Sequence, residues 1–443
     1  MQPSWFGERQ APPEIGLPVE RIADVMREEL RELPLPVLPI ALQPFVVPKS
    51  SYRELLTATA DLLQLLRKTV VQLAPDRAGR IAALGLDPDD CPYWVDDENF
   101  ELRHCADIAR ADVVIGHDGP KFVEMNVSGA IGGMVHFQLY QRAWRRVREL
   151  AGQPSFVGVD TFAQLAALIK RTCAELGTAP SAAIVGTTRE WGAGVPSRHF
   201  DFQVAELRQH GVNAVHLDFE DLLDGIGLPD RLDFPLGIAE FTEYDASVGG
   251  YDIGPVGKAL DGGFRVIPSA SSWLVHTKKL LAMVSEGLPW MNPAERELVE
   301  RYVPWSRLVG DRDVRWRGDG HNLPELLVDR QENFILKGAT GDAGREVVFG
   351  ERTSPGEWAK LIDDAVRTGY HMVQEVVPTP PYPVDVMVND AGDIERVQAN
   401  SVISPFCIGG TPTGCFARFV PEARPGVISA LSNARLSCLL AEA

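Results

Sequence analysis

The chain has 443 residues, of which 45% are hydrophobic and 23% charged, so its composition is that of a globular protein and excludes a disordered or fibrous one. A typical domain has about 150 residues, so two or three domains are expected. The 61 acidic residues outnumber the 43 Lys and Arg residues, and the resulting net charge of −18 repels nucleic acid and anionic membranes.

Neither a transmembrane helix nor a signal peptide is predicted, because no apolar run approaches roughly 18 residues and the first residues lack an apolar segment. The cysteines are scattered and form no C-x-x-C pair, which disfavours disulfide frameworks and zinc sites and favours a reducing cytoplasm. We expect buried structural thiols at Cys91, Cys105, Cys173, Cys407, Cys415 and Cys438.

The N-terminal part is predicted to contain helices and one β-hairpin. In chain order, the pattern predicts a helix over 18–33, a helix over 51–74, strands over 111–116 and 121–127, and a helix over about 134–150. Ser50 or Ser51 is the predicted N-cap of the second helix, since serine side chains accept hydrogen bonds from the free N–H groups there. The two strands flank Asp118-Gly119, a dipeptide typical of hairpin turns.

Residues 155–223 follow a different pattern. A helix over 161–176, a strand over 182–187, a helix over 200–210 and a strand over 213–218 are predicted in this order. Strands that alternate with helices of this length indicate a parallel βαβ unit. The turn after the first strand lacks the G-x-G-x-x-G pattern, so it gives little support for a dinucleotide site.

The remainder of the chain mixes helices and strands. Helices near 273–286 and over 355–368 are predicted, with strands over 333–338, 345–350, 370–377, 384–389, 395–404 and 415–420. Several of these strands alternate apolar and polar residues, which indicates an antiparallel sheet packed on one face.

A predicted strand presents Lys337, and a glycine-rich turn with Gly338, Gly341 and Gly344 follows. Backbone N–H groups in such a turn can approach phosphate oxygens, and the lysine adds a point charge. No G-K-[ST] opens a helix here, so this is not a Walker loop. A plain β-hairpin with a glycine turn is the alternative interpretation.

Glu124 and Asn126 alternate with apolar neighbours, so both side chains point to one face of a strand. A carboxylate and an amide oxygen on one face suit a hard cation such as Mg²⁺, and the SGAIGG segment that follows can form an anion-binding nest. A solvent-facing polar pair is the alternative. On the helix near 273–286, one of Lys278 and Lys279 could reach a phosphate while the other extends to water.

The segment HMVQEVVP at 371–378 is a short strand that ends at Gln374-Glu375 and continues into two valines. Its main-chain groups can pair with an adenine edge between apolar walls. An ordinary core strand is the alternative interpretation of this segment.

Together and in this order, the motifs over about 110–420 resemble the ATP-grasp ligases. They resemble in particular the circularly permuted branch typified by eukaryotic glutathione synthetase, where the metal-binding E-x-N precedes the nucleotide loop. Residues 110–133 resemble that family's R-S-D strand and E-I-N-T-x-S-x-S-x-G-G motif, 197–222 its N-I-F-D-Q helix and F-E-D strand, and Thr277-Lys278-Lys279 its T-K-K. Lys337 resembles the nucleotide-loop lysine, Gln374 to Val377 the adenine hinge, and Arg418 the arginine of a late strand.

The resemblance implies a mixed α/β (α+β) fold, in which an ATP-grasp core of antiparallel sheets carries an inserted parallel βαβ substrate domain. It implies an N-terminal helical and metal-binding part at 1–150, a Rossmann-like substrate domain at 151–265 and a nucleotide-binding domain at 266–443. ATP and Mg²⁺ are the implied cofactors.

The resemblance also implies a role for each matching residue. The metal ligands would be Glu124, Asn126 and Asp342. The nucleotide would contact Lys278, Lys337, Gly341, Gly344, Gln374, Glu375 and Val377. The substrates would contact Ser128, Gly129, His199, Gln203, Glu240, Thr242 and Arg418. Arg110, Lys337 and Arg418 would be catalytic, with Arg110 neutralising the transferring phosphoryl group and Arg418 pairing with a substrate carboxylate. The alternative for Arg110 is a surface ion pair with Asp112 or Asp107.

The sequence also departs from the glutathione enzyme. Residues 237–246 stand where that enzyme has an F-R-D-G-Y strand, and the arginine position is Thr242, with Glu240 and Glu243 close by. An anionic pocket disfavours the same peptide acid and favours an amine or ammonium group. The long Gly/Ala-rich lid of that family is missing after Arg418. We therefore do not interpret the chain as glutathione synthetase itself.

The expected function is an ATP-dependent carboxylate–amine ligase that forms an amide or peptide bond through an acyl-phosphate and releases ADP and phosphate. A small-molecule kinase on the same fold and a non-catalytic nucleotide-binding or scaffold protein are the alternatives. The expected partners are small-molecule acid and amine substrates in the cytoplasm, without nucleic acid or membrane, and a homodimer is left open.

Overall fold

The computed structural model of the protein describes residues 5, 15–31, 39–91, 93–187, 198–228, 231–242, 246–247, 249–341, 344, 346–389, 391–421, 427–428 and 434–443. The helices are α1 (Val19–Leu30), α2 (Lys49–Leu73), α3 (Arg77–Leu84), α4 (Glu98–His104), α5 (Met134–Leu150), α6 (Thr161–Glu175), α7 (Arg198–Gln209), α8 (Leu222–Gly225), α9 (Gly254–Asp261), α10 (Ser272–His276), α11 (Lys279–Glu286), α12 (Pro293–Tyr302), α13 (Leu323–Asp329) and α14 (Pro355–Thr368).

The strands form sheets of both parallel and antiparallel type. They are β1 (Ile40–Ala41), β2 (Phe45–Val47), β3 (Ile108–Gly116), β4 (Gly119–Val127), β5 (Ser181–Val185), β6 (Asn213–Leu217), β7 (Gly227–Leu228), β8 (Arg231–Leu232), β9 (Leu236–Ala239), β10 (Arg265–Ile267), β11 (Ser306–Leu308), β12 (Asp313–Trp316), β13 (Asp319–Asn322), β14 (Phe334–Gly338), β15 (Val347–Phe349), β16 (His371–Glu375), β17 (Tyr382–Met387), β18 (Ile394–Ile408), β19 (Thr411–Pro421) and β20 (Arg435–Ala441). The expectation of a mixed fold with both sheet types is confirmed.

The largest sheet, as far as the described residues show, has eight strands and is antiparallel except for the β2–β20 pair. Its path runs β1-β17-β18-β19-β20-β2. The long strand β18 pairs along one edge with β17 in its first half and with β3 in its second half. The predicted β3–β4 hairpin therefore branches from the middle of the sheet.

Two hydrophobic cores cover opposite faces of this sheet. The apolar stripe of α2 packs on one face, where Leu62 and Leu66 join Phe419 and other buried residues. Helices α5 and α6 cover part of the second face, where Trp144 packs in the same core as Phe416. The rest of the second face carries the polar side chains of the candidate site.

Two smaller sheets flank the polar part of this face. The antiparallel sheet β11-β16-β14-β15 packs against α13 and α14 through Phe334, Trp358 and other apolar residues. The parallel sheet β10-β9-β5-β6 contains the predicted βαβ unit β5–α7–β6. Ile184 of β5 lies in the same core as Trp144, so the parallel sheet shares its packing with the large sheet.

Three sequence-based details are wrong. Helix α2 begins at Lys49, and its N-cap is Pro48 rather than Ser50 or Ser51, because the φ of −55° at this proline already suits helix entry. In the hairpin, Gly116 pairs with Gly119, so the turn is His117-Asp118 and Gly119 belongs to the strand.

The third error is the continuous helix near 273–286, which is broken between α10 and α11. Thr277 is extended, with ψ 130°, and its hydroxyl donates to the Ala339 carbonyl at 3.1 Å. The Lys278 N–H donates to the same carbonyl at 2.9 Å. The helix breaks because these two donors bond to the glycine-rich turn instead of to the preceding helical turn.

The prediction of buried free thiols is confirmed for all six cysteines. Burial raises the pKa of the Cys407 thiol to about 12, with a smaller contribution from Asp107, so this thiol stays protonated and unreactive. In the described part of the chain, no helix combines the length and apolar character needed to cross a bilayer.

Candidate active site

A group of polar side chains lies on the second face of the large sheet, next to the part covered by α5. The group comprises Arg110 and Asp112 of β3, Glu124 and Asn126 of β4, Ser404 of β18 and Arg418 of β19. Arg110 is paired with Asn126 and Asp112 with Glu124 in the hairpin register, so strand alternation places these four side chains on one face.

Asp112 lies at the centre of this group. Its Oδ1 is 2.7 Å from Arg418 Nη2 and 3.4 Å from Arg110 Nε, and it accepts a hydrogen bond of 3.0 Å from the Ser404 hydroxyl. Arg418 also donates to the Ser404 hydroxyl at 3.2 Å. Burial opposes the charge on Asp112, but the two arginines outweigh burial and lower its pKa to about 2.

This arrangement corrects the surface interpretation of Arg110. The side chain of Arg110 is only 12% exposed, and the ion pair with Asp112 is buried with it. Asp107 instead bonds His104, with 2.6 Å between Oδ2 and Nδ1. Arg110 therefore belongs to a buried charged centre rather than to a solvated surface pair.

Lys337 approaches the same centre from the small antiparallel sheet. Its buried Nζ donates to the Val123 carbonyl at 3.0 Å and to Gln374 Oε1 at 2.7 Å. Burial lowers the pKa of Lys337 to about 8; the charge of Glu124 opposes this shift, and that of Lys278 adds to it. Part of the Lys337 population therefore loses its charge just above neutral pH.

Lys278 joins the large sheet to the glycine-rich turn. Its Nζ lies 3.1 Å from Glu124 Oε1 and also donates to the Gly341 carbonyl. Lys279 points elsewhere and donates to the Leu84 carbonyl at 2.8 Å. The structure thus identifies Lys278 as the lysine that faces the candidate site.

The glycine-rich turn follows Lys337, as predicted, and connects β14 to β15 as a hairpin. Gly344 needs its glycine because its φ is +77°, which side chains rarely adopt. A Cβ at Gly341 would lie 2.5 Å from Glu346 Oε2, so the absence of a side chain lets Glu346 fold against the turn. Asp342, the predicted third metal ligand, lies outside the described residues.

Glu346 was not predicted and supports the turn through Tyr370. Its Oε2 accepts a hydrogen bond of 2.8 Å from the Tyr370 hydroxyl, which lies 3.0 Å from the Thr340 hydroxyl. No sequence pattern marks this contact, since Tyr370 precedes a different strand and meets the turn only in the folded sheet.

The three residues of the predicted adenine hinge, Gln374, Glu375 and Val377, lie in different surroundings. The Gln374 side chain is fully buried and donates to Ser306 Oγ at 3.1 Å while it accepts from Lys337, so it supports the lysine. The Glu375 carboxylate pairs with Arg317 at 2.8 Å. The N–H of Val377 makes no hydrogen bond with any residue that the structure describes, which leaves it available to a ligand.

Glu124 and Asn126 suit the predicted Mg²⁺ in their chemistry. The Glu124 carboxylate and the Asn126 amide point to the same face of β4, and Asn126 Nδ2 donates to the Arg110 carbonyl at 3.4 Å, which turns Oδ1 away from that carbonyl. Mg²⁺ commonly takes one or two protein oxygens together with substrate phosphates and water. Across the described ranges, no group of three or more His, Cys, Asp or Glu residues with metal-binding geometry occurs.

The loop after β4 joins this centre to the parallel sheet. Ser128 Oγ accepts a hydrogen bond of 3.0 Å from the Ala130 N–H, and Arg110 donates to the Ile131 carbonyl. A Cβ at Gly129 would lie 2.2 Å from the Ala239 carbonyl, so only glycine allows the loop to touch the end of β9. This contact explains why a glycine stands at position 129.

The other predicted substrate residues meet just beyond this contact. Glu240 Oε2 lies 2.9 Å from His199 Nε2, and Gln203 Nε2 lies 2.9 Å from the same ring nitrogen. Thr242 is two residues further along, where its carbonyl accepts from the Ala246 N–H at 3.0 Å. Glu243 lies outside the described residues.

The charged side chains around Asp112 and Glu124 form one group, which we call the charged cluster. Its members are Arg110, Asp112, Glu124, Lys278, Lys337 and Arg418. Among these described residues, four side chains are cationic and two are carboxylates, although the whole chain is strongly acidic. An excess of buried positive charge suits a polyanion such as a nucleotide phosphate. Asp112 and Ser404 were not predicted as site residues. Their role depends on a contact between two strands, and the two residues are 292 positions apart in the sequence.

No protein-family model and no curated protein matches the sequence. Solved structures do match. A glutathione synthetase-like effector from Globodera pallida has a TM-score of 0.62 at 13% identity, over 98% of this chain and 100% of the other. A proposed gamma-glutamylcysteine synthetase from Methylobacillus flagellatus has a TM-score of 0.40 at 14% identity, over 86% of this chain and 88% of the other. The second score is too low to indicate a shared fold. The chain therefore has a glutathione synthetase-like fold, as the first comparison shows.

Proposed function

We propose that the protein is an ATP-dependent carboxylate–amine ligase of the ATP-grasp type. It joins small, amino-acid-like substrates through an acyl-phosphate and releases ADP and phosphate. The observation that carries the proposal is the charged cluster, in which Lys278 and Lys337 approach Glu124 from one side while Arg110 and Arg418 converge on Asp112.

The order of these residues along the chain supports the circularly permuted branch. Glu124 and Asn126 precede Lys337 and the glycine-rich turn. We extend the proposal to the three domains expected at 1–150, 151–265 and 266–443. The large sheet takes strands from the first and the third of these domains, so the core that it shares with the parallel sheet lies between the second domain and both others.

In the proposed reaction, Lys278, Lys337 and the N–H groups of the glycine-rich turn bind the β- and γ-phosphates. Glu124 and Asn126 would hold Mg²⁺, which supplies charge neutralisation between the phosphates when it is bound. The N–H of Val377, which bonds no described residue, takes the adenine edge. Each of these groups positions the nucleotide, and none of them acts as a nucleophile.

Arg110 and Arg418 act on the acid substrate and on the phosphoryl group in both steps of the reaction. A carboxylate oxygen of the acid attacks the γ-phosphorus, and ADP leaves. The amine then attacks the acyl carbon, loses a proton, and phosphate leaves with the oxygen that came from the acid. Two arginines fixed by Asp112 neutralise, without reorganisation, the negative charge on the transferring phosphoryl group and then on the phosphate that leaves.

The test is an ADP-release screen over pairs of amino acids and small acids with ATP and Mg²⁺. The proposal predicts ADP formation that requires both members of one pair, together with an amide product. A kinase would release ADP with one substrate and leave a phosphorylated product. ADP release that is the same for wild type and Lys337→Met, or that needs only one substrate, would overturn the proposal.

A further inference from the structure

We infer that the carboxyl end of β9 carries a subsite for the ammonium group of an amino-acid-like substrate, built from Glu240, His199, Gln203 and His136. We call it the ammonium subsite. The inference rests on the proposed function for its place in the reaction, but its ligand chemistry follows from the residues themselves.

Glu240 provides the negative charge. The main chain at Glu240 is fixed by a hydrogen bond of 2.8 Å to the Val185 carbonyl, which continues the pairing of β9 with β5. Its side chain is 10% exposed, and among the described residues its one hydrogen-bond partner is His199, which contacts Oε2. Oε1 makes no hydrogen bond with the residues that the structure describes. A carboxylate with one used and one open oxygen can accept a further charged donor.

His199 fixes the direction of this carboxylate, and Gln203 lies against the His199 ring. The two residues are four apart on α7, so they share one helix face. With its proton on Nε2, the ring donates to Glu240, and the Gln203 amide nitrogen, also a donor, then packs beside the ring without a hydrogen bond to it. The single contact from His199 holds Oε2 and leaves the rest of the carboxylate for an incoming cation.

His136, in the first turn of α5, adds two unused polar atoms. Both ring nitrogens are buried, and neither makes a hydrogen bond with a described residue. Burial lowers the pKa of His136 to about 3, and nearby His199 adds to this shift, so the ring is neutral and offers one donor and one acceptor. Buried polar atoms without partners are rare, and a bound substrate would satisfy them.

Two contacts connect the surroundings of the subsite to the charged cluster. His136 packs beside Phe416, with 5.7 Å between the ring centroids, and Phe416 is two residues before Arg418 on the same face of β19. The loop that Arg110 holds at Ile131 also touches the end of β9 through Gly129. A substrate can thus place its ammonium group at Glu240 and its reacting group near the two arginines.

A free carboxylate at this position is disfavoured, because Glu240 would repel it. The subsite therefore selects for an amino-bearing substrate over its des-amino counterpart.

The test measures binding directly, so that it does not depend on turnover. Each common L-amino acid and its des-amino acid is titrated calorimetrically into wild type and into Glu240→Gln, His136→Phe and Lys337→Met. We expect at least one amino acid to bind, its des-amino acid to bind more weakly, and Glu240→Gln to weaken binding about 10- to 100-fold, as for the loss of one charge-assisted contact. His136→Phe should also weaken binding with an unchanged or higher melting temperature.

Lys337→Met separates the two proposals. If the ammonium subsite exists, this variant still binds the amino acid even where ADP release is lost. If the wild type shows no ligase activity, the proposed function fails, but amino-acid binding would still support the subsite. The inference is overturned if no amino acid binds, if the des-amino acid binds as well, or if Glu240→Gln and His136→Phe bind like wild type.

Discussion

The charged cluster and the ammonium subsite are held in different ways. In the charged cluster, Asp112 connects Arg110, Arg418 and Ser404 across three strands of the large sheet. Lys337, from the small antiparallel sheet, bonds the Val123 carbonyl of the large sheet. In the ammonium subsite, Glu240 lies just past a strand end, and one oxygen of its carboxylate bonds no residue in the described part of the chain. One region is fixed by mutual contacts, and the other is left incomplete.

The difference indicates which region serves the chemical step and which region selects the substrate. A site for phosphate chemistry benefits from charges that are already oriented, because no reorganisation is then needed during the reaction. A site that selects a substrate needs unpaired groups that only the correct ligand satisfies. Changes in the charged cluster should therefore remove turnover, and changes in the ammonium subsite should alter substrate choice.

The largest effect is expected from Lys337→Met. Loss of the phosphate-facing charge should reduce ADP release by on the order of 10³. The melting temperature should change little, because Met removes a buried ammonium group but leaves Gln374 Oε1 and the Val123 carbonyl without their donor. Turnover and thermal unfolding are measured side by side, with Lys337→Arg as the charged control. A large drop in melting temperature with normal ADP release would assign Lys337 a purely structural role.

The second effect is expected from Asp112→Asn. The uncharged amide would leave two buried guanidinium groups without their anion, so turnover should fall about 10²-fold and the free energy of unfolding by about 3 kcal/mol. Urea unfolding at pH 7 measures the second quantity, and Asp107→Asn, at a different ion pair, serves as the control. Wild-type turnover in Asp112→Asn would show that the arginines need no anchor.

The pKa of Asp112, which is lowered to about 2, determines how the free energy of unfolding changes in acid. The stabilisation is fully present above the unfolded pKa of about 4 and is lost as pH falls through 2. Wild type should therefore lose more stability than Asp112→Asn between about pH 4 and 2. Parallel acid unfolding curves for the two proteins would contradict this assignment.

A third, smaller effect concerns the pH dependence of nucleotide binding. The pKa of Lys337 is about 8 in the free protein, and bound phosphates should raise it by favouring the charged form. ATP affinity should be constant below pH 8 and fall by up to about tenfold per pH unit above it. Lys337→Arg keeps its charge and should show a flat profile. Titration of ATP between pH 7 and 9.5 provides the measurement, and an equally flat profile in wild type would contradict the account.

The smallest effect is expected from Glu375→Ala. Its carboxylate faces Arg317, which is largely exposed, so the pair contributes under about 1 kcal/mol and the hinge acts through its main chain. ATP affinity should change less than about twofold. Val377→Ala is a matched control that also keeps the main-chain N–H. A loss of affinity above tenfold in Glu375→Ala would mean that its side chain contacts the nucleotide.

Part of this arrangement was predictable because it depends on local patterns. The alternation in β4 places Glu124 and Asn126 on one face, and the strand–helix–strand pattern predicts the parallel pairing of β5 with β6. The fold shared with the glutathione synthetase-like effector agrees with the family resemblance. These features follow from residues close together in the sequence.

The rest depends on contacts between distant segments. Asp112 and Ser404 meet only because β3 pairs with the second half of β18, and the helix breaks at Thr277 because Ala339 supplies a better acceptor. Gln374, predicted from its hinge position, turns out to bond the Lys337 amine. No sequence pattern predicts a role for His136. Its role is inferred because no described residue forms a hydrogen bond with its ring nitrogens, and this is visible only in the folded structure.

The most direct test of the central claim follows one oxygen atom. The acid of an active substrate pair is labelled with ¹⁸O in its carboxylate, and the products are analysed by mass spectrometry after one turnover. An acyl-phosphate route predicts ADP and inorganic phosphate that carries one ¹⁸O from the acid. AMP with pyrophosphate, or phosphate without the label, would contradict the proposed reaction.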